Sequence, residues 1–294
     1  MPVAERRHGP SSLRIRLNVA ALSLVLDAQG SGIRMAVPAA HASFVSGTAD
    51  GGLELSVRSG RPCRREAWRP VFALENAWQL WQDEGGRYVF VPGPFLPPAR
   101  HVTVDAEFRS GEVVGQFDDG EFPPVPVYPL DGIEIMLFAN WLARTGDVIL
   151  HAAGVESGGR GYAFAGASGA GKSTLAAAFA GTAGTTILGE DNLVLRLLGD
   201  RFWVFGTPWH LDTARCAPLG FPLEKIYFLD RTSGEGIGPC APVDGIARLL
   251  QTAFVPYYRP ESLEKILGNL ALLAAEVPFF TLGYPLGSDP MLLL

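Results

Sequence analysis

The residues Gly166–Thr174, GASGAGKST, combine the types that can cradle a phosphate chain. They fit G-x-x-x-x-G-K-[ST], with Gly166, Gly171, Lys172 and Ser173 at the fixed positions. The glycines let successive backbone N–H groups turn inward as an anion nest, and Ala167, Ser168, Gly169 and Ala170 supply the intervening amides. Such a loop delivers its donors at the start of a helix, whose dipole also favours anions. Lys172 is spaced to reach β- and γ-phosphates, and the Ser173 hydroxyl to ligate Mg²⁺, with Thr174 beside it. A chance match in a chain of this composition has odds of about four in a thousand. Lysine occurs three times in the sequence, at 172, 225 and 265, so its presence in this loop is informative.

Two acids, Glu190 and Asp191, follow in TTILGEDNLVLRL. A carboxylate at a strand end near a phosphate loop can hold Mg²⁺ or take the proton of an attacking hydroxyl. Gly-Glu-Asp-Asn is also a good turn sequence, and only the loop upstream favours the chemical reading. The expected division is Glu190 as proton acceptor and Asp191, with Ser173, as metal partner, the two acids being exchangeable. His151, in VILHAAGV, and His210, in GTPWHLD, are candidates of equal standing on the sequence alone, since a histidine is enriched at sites but also commonly packs in the core. Arg58, Arg61, Arg64, Arg65 and Arg69 around Cys63 and Trp68 read as a solvated loop, with an acceptor-docking patch as the sharper alternative.

These residues need elements to hold them. Tyr162–Ala165 (YAFA) is an apolar strand before the loop, and an Ala-rich helix runs from Lys172 to about Gly181. Val148–Val155 reads as one strand, Glu156–Gly161 as a turn, and Thr185–Leu188, Leu193–Leu197 and Phe202–Phe205 as further strands. Ile133–Arg144, Val243–Phe254 and Glu261–Val277 read as helices, the last with Pro260 at its start. Strands alternating with helices predict an α/β domain over residues 130–294. Residues 13–125 read as a mainly β domain. Its short stretches LRIRLNV, IRMAV, LELSV, RYVFV and HVTVDAEF alternate apolar with polar between Gly, Asp and Pro. FALENAWQLW (Phe72–Trp81) fits a helix or a strand, and Asp118–Pro129, with four prolines, is a candidate linker.

Composition narrows the classes. The chain has 294 residues, 48% of them apolar and 18% charged, which fits a packed core in two domains and excludes charge-driven disorder. The net charge is −6, and acids outnumber bases in each half, so nucleic acid and anionic membranes are not the expected partners. Apolar runs fall short of the ~20 residues that span a bilayer. RIRLNVAALSLVLD (Arg14–Asp27) has a signal-peptide-like start but fits strand–turn–strand at least as well. Three cysteines with no C-x-x-C pair fit a reducing cytoplasm.

LHAAGVESGGRGYAFAGASGAGKSTLAAAFA followed by ILGEDNLVL resembles the catalytic domain of the HPr kinase/phosphorylase family. GTPWH, PLEKIYFL and VPFFTL resemble the HPr kinase-related proteins linked to peptide modification. The resemblance covers about residues 145–285, and it implies a P-loop, PEP carboxykinase-like catalytic fold behind a β domain of another kind. It implies ATP and Mg²⁺ as cofactors, transfer of the γ-phosphate to a serine of a protein or peptide, and a homo-oligomer. By the same resemblance His151, Lys172 and the acid pair act in catalysis. The family's pair is Asp-Asp, whereas here the first acid is Glu190, one methylene longer. No counterpart of the HPr-contacting segment is visible, so the expected acceptor is another protein or peptide, docked by residues 13–117. A nucleotide-binding switch or scaffold and a small-molecule kinase are the alternatives.

Overall fold

The structure is a computed structural model that describes residues 13–29, 31–46, 52–62, 67–74, 78–93, 100–117, 126–210, 215–230, 234, 236–283 and 290–294. The chain divides into two compact units, 1–138 and 139–294. Both are strand-rich.

The first unit is one eight-stranded sheet. Its strands are β1 (Arg14–Val19), β2 (Leu22–Asp27), β3 (Leu53–Ser59), β4 (Arg69–Leu74), β5 (Trp78–Gln82), β6 (Tyr88–Pro92), β7 (Arg100–Val104) and β8 (Ser110–Gly115). The spatial order is β1-β2-β3-β8-β7-β6-β5-β4. β3 runs parallel to both β2 and β8, and the other neighbours are antiparallel. β3 shows why these stretches are strands: Leu53, Leu55 and Val57 are buried while Glu54, Ser56 and Arg58 are exposed, the period-2 pattern of a half-buried sheet. Arg14–Asp27 is the strand–turn–strand, with Ala20 and Ala21 both at positive φ in the two-residue turn.

Three stretches differ from expectation or settle an ambiguity. Phe72–Leu74 and Trp78–Trp81 lie in antiparallel strands, and residues 75–77 fall outside the described ones. Among the described residues IRMAV forms no strand, and Met35 makes an isolated bridge to Val127. Of the candidate linker, 118–125 lies outside the described residues. Val127 exchanges backbone hydrogen bonds with Arg34 and Ala36, and the buried Arg100 guanidinium donates to the carbonyls of Tyr128 and Pro129 at 3.1 Å each. Helix α1 (Glu134–Ala143) then crosses the boundary between the units.

The second unit contains β9 (Val148–Leu150), β10 (Ala152–Ser157), β11 (Arg160–Ala165), α2 (Lys172–Ala180), β12 (Thr185–Gly189), β13 (Leu193–Leu198) and β14 (Arg201–Gly206). It continues with β15 (Gly220–Leu229), β16 (Gly236–Pro239), α3 (Pro242–Thr252), α4 (Pro260–Glu276), β17 (Phe279–Gly283) and a 3₁₀ turn, Pro290–Leu293. One run of strands follows the order β12-β10-β11-β15, with β17 and β16 beyond it; another follows β9-β13-β14-β15. The ten-residue β15 joins both, pairing β14 through Gly220–Pro222 and β17 through Ile226–Leu229.

Alternation along β10, β11 and β15 divides the core. Ala153, Val155, Tyr162, Phe164 and Tyr227 pack with Leu175, Ala176 and Phe179 of α2. Ala152, Ala163, Ala165, Ile226 and Phe228 pack with the other strands and with α3 and α4. On β10 and β11 the residues of this second face are small because strands press on it: a Cβ on Gly154 would sit 2.7 Å from a Leu193 methyl. Burying each large side chain contributes roughly 1.5–3 kcal/mol, so Phe164 between Phe179 and Tyr227 anchors the strand that carries the Gly-rich loop. No helix among the described residues is long and apolar enough to cross a membrane.

VILHAAGV is two strands, not one. The chain leaves β9, which pairs β13, and enters β10, which pairs β12, with His151 at the break. The reason is in the backbone: His151 N–H donates to Thr252 C=O at 2.8 Å and Ala152 N–H to Asp191 C=O at 3.1 Å. Glu190, Asp191 and Asn192 make the matching passage from β12 to β13.

Candidate phosphate-binding site

Three connections converge at the C-terminal end of β11. The Gly-rich loop leaves that strand at Gly166 and enters α2 at Lys172. Gly166 is tightly housed, since a Cβ there would lie 3.0 Å from the Ala170 Cβ and 3.2 Å from the Leu229 Cβ. Gly169 and Gly171 have φ of +77° and +110°, a region L side chains rarely adopt. The α2 N-cap is Gly171, with no side-chain cap, so the orphan donors of the first turn are left to a ligand or solvent. Lys172 is buried at 6% exposure, and its Nζ donates to the carbonyls of Gly166 at 2.8 Å and Ala167 at 3.0 Å. Burial pulls the ammonium below the ordinary lysine range, and the Asp191 carboxylate acts in the opposite direction.

The other two connections are the paired crossings. They bring His151 Nδ1 and Asp191 Oδ1 to 3.1 Å, each side chain about one-third exposed. A cavity of about 300 Å³ lies between this pair and the loop, lined by His151, Ser168, Gly169, Gly171, Lys172, Ser173, Thr174 and Asp191. Local sequence sets the loop, with glycine after the strand and an Ala-rich helix after that, and the polar Glu190–Asn192 turn; the crossing at His151 is set by its backbone partners Thr252 and Asp191.

Glu190 and Asp191 therefore face different surroundings. Asp191 lines the cavity, and its Oδ2 accepts from Asn192 Nδ2 at 3.1 Å. The Glu190 Oε1 instead accepts from the Arg215 guanidinium at 3.1 Å. Sequence reasoning did not reach Arg215, 25 residues downstream, because nothing local ties it to the acids. It also passed over Asn192, whose adjacency to the acid pair was the available signal. Asn192 Nδ2 donates to the Trp209 carbonyl at 2.8 Å, and Thr207 Oγ1 donates to the Asn192 carbonyl at 2.7 Å. His210 turns its Nε2 to the Thr207 carbonyl at 2.6 Å. Of the basic stretch, Arg58 pairs with Glu112, and Arg64 and Arg65 lie outside the described residues, as does Cys63.

The donor set suits a phosphate chain with a hard cation. The loop backbone, the Lys172 ammonium, the hydroxyl residues Ser168, Ser173 and Thr174, the His151 imidazole and the Asp191 carboxylate line the cavity. No group of three or more His, Cys, Asp or Glu among the described residues is arranged to hold a metal. Mg²⁺ binds through few protein oxygens, substrate phosphates and water, and Ser173 and Asp191 are residues of the lining that could hold it.

No family model matches the chain, and no curated protein sequence matches it. Among solved structures it is similar to the HPr(Ser) kinase/phosphatase from Coxiella burnetii, at 12% identity and a TM-score of 0.30, over 49% of this chain and 90% of that chain. At that level of likeness the chemistry of the site rests on its own residues.

Proposed function

We propose that the protein is a Mg-ATP-dependent phosphotransferase that moves the γ-phosphate to a serine hydroxyl of a protein or peptide. The observation that carries this reading is the cavity in which Lys172, Ser173 and the His151–Asp191 pair meet at the mouth of the Gly-rich loop. Mg-ATP supplies the transferable phosphoryl group and neutralises its charge when bound. The loop from Gly166 to Thr174 would hold the triphosphate through its amides. Lys172 would leave the loop carbonyls to meet the β- and γ-oxygens, and Ser173 would hold Mg²⁺ directly.

Asp191 is the acid suited to work at this cavity. In the transfer, the acceptor oxygen bonds to the γ-phosphorus, the bond to the bridging oxygen breaks to release ADP, and the hydroxyl proton passes to Asp191. The His151 Nδ1, 3.1 Å from Asp191 Oδ1, would orient that carboxylate, and the same carboxylate would be available to Mg²⁺, directly or through water. Glu190, held by Arg215, takes a supporting place, and the proton-accepting role expected of Glu190 passes to Asp191. The strand-rich first unit is assigned to the acceptor. Without an acceptor, slow transfer to water is expected.

The test is incubation of the purified chain with γ-labelled ATP in cell extract, followed by separation of macromolecules from small molecules. Label in the macromolecular fraction, lost with Asp191→Asn, supports the reading. Label confined to small metabolites would point to a small-molecule kinase, and label appearing only as free phosphate to a nucleotide-dependent switch.

A further inference from the structure

We propose that Asn192 is a positioning residue of this site, holding the Asp191 carboxylate in the orientation that phosphoryl transfer needs. The inference rests on the phosphotransferase reading and adds to it a residue outside the phosphate loop and the acid pair. Asn192 is 6% exposed. Its Nδ2 donates to Asp191 Oδ2 at 3.1 Å and to the Trp209 carbonyl at 2.8 Å. Both partners accept only, so the NH₂ group must face them and the amide cannot be turned over. Its Oδ1 is then left buried without a hydrogen-bond partner. An unpaired buried acceptor is costly, and side chains chosen for packing alone avoid it. The two donors on the other side of the amide are what this arrangement secures.

The consequence for Asp191 is geometric. One carboxylate oxygen lies 3.1 Å from His151 Nδ1, and the other accepts a hydrogen bond from Asn192, so Asn192 is the hydrogen-bonded restraint on rotation of the carboxylate plane and His151 the electrostatic one. Asn192 is itself fixed from the next strand connection, because the fully buried Thr207 donates from its hydroxyl to the Asn192 carbonyl. The clamp thus ties the β12–β13 crossing to the segment after β14. Aspartate at position 192 would have the same shape, but it would set a carboxylate against Asp191 and against the Trp209 carbonyl.

The test uses the full chain, with Mg-ATP as the probe. Groups that support catalytic or metal-binding side chains typically contribute about 10–100-fold, and small misplacements of reacting groups are of similar consequence. Asn192→Ala should lower kcat for phosphate release from Mg-ATP by about 10–100-fold, with ATP affinity by calorimetry within about twofold of wild type. Asn192→Asp should be at least as impaired. In an Asp191→Ala background, Asn192→Ala should cost less than about twofold, because a residue acting through another has no further effect once that partner is gone. A merely structural role would instead add its cost in both backgrounds.

A measurement on the nucleotide-free protein stands beside these. By NMR, one of the two Asn192 side-chain amide protons should shift on Asp191→Ala. Unchanged kcat in Asn192→Ala, additive losses in the double variant, or an unmoved amide signal overturns the inference while leaving the phosphotransferase reading intact. A wild-type chain that neither binds Mg-ATP nor releases phosphate from it overturns the underlying reading instead.

Discussion

Glu190 and Asp191 are neighbours in sequence, and neutralising each should have very different consequences. Asp191→Asn keeps the shape of a side chain that lines the cavity 3.1 Å from His151 Nδ1 but removes its ability to take a proton. A general base contributes typically 10²–10⁴-fold, so kcat should fall by about that factor. Glu190→Gln breaks an ion pair to an Arg215 side chain that is 46% exposed. Fully exposed pairs are worth about 0–1 kcal/mol; with Glu190 itself 11% exposed the loss comes to about 1–2 kcal/mol, about 5–30-fold if all of it were felt in the transition state.

Asp191→Asn carries a second signature through Lys172. Burial already lowers that ammonium's pKa, and the Asp191 charge is what opposes it. Without the charge the pKa falls further, so Lys172 loses its proton at a lower pH. ATP affinity, which needs the charged lysine, should then decline at lower pH in the variant than in wild type as pH rises. The assay is phosphate release at saturating Mg-ATP, with calorimetric affinities measured across alkaline pH. The reasoning is refuted if Glu190→Gln is as damaging as Asp191→Asn, or if the alkaline limb of binding moves upward.

Other expectations follow from single contacts. Gly166→Ala should impair ATP binding more than it lowers thermal stability, because its Cβ would press on the Cβ atoms of Ala170 and Leu229 and move the loop. Ala21→Gly should stabilise the protein by about 1 kcal/mol in denaturant titration, since Ala21 is exposed at φ +60° in a two-residue hairpin turn. Asp105→Asn should destabilise the protein by about 1 kcal/mol at pH 7. Burial of the Asp105 carboxyl acts to raise its pKa, but the amides of Arg109 and Ser110 and the Ser110 hydroxyl outweigh it and the net direction is down. A lowered carboxyl pKa contributes stability above the unfolded value of about 3.9 and loses it as pH falls through the folded value. The gap between wild type and Asp105→Asn should therefore close in acid.

The Gly-rich loop was legible because its chemistry is local: the strand before it, the helix after it and the loop residues are contiguous. The hairpin of β10 and β11 and helices α1 to α4 were legible for the same reason, through period and punctuation. The break at His151 was not, because VILHAAGV is apolar throughout, and what divides it is hydrogen bonding to Thr252 and Asp191, far along the chain. IRMAV had a strand's composition, but among the described residues its only β-pairing is an isolated bridge to Val127. β15 gave little strand signal because Gly220 and Pro222 interrupt it, and it is held by three different partners. The same limit applied within the site. Asp191 and Glu190 cannot be ranked from spacing alone; Arg215 and His151, each far along the chain, separate their surroundings.

The central claim is that Gly166–Thr174 binds the phosphates of ATP, and titration calorimetry of wild type against Lys172→Ala tests it most directly. Lys172 is the buried cation of the loop, and a charge-assisted contact is worth roughly 1.5–3 kcal/mol. Wild type should bind Mg-ATP, and Lys172→Ala should bind it about 10–150-fold more weakly. Equal affinity in the two proteins would contradict the account.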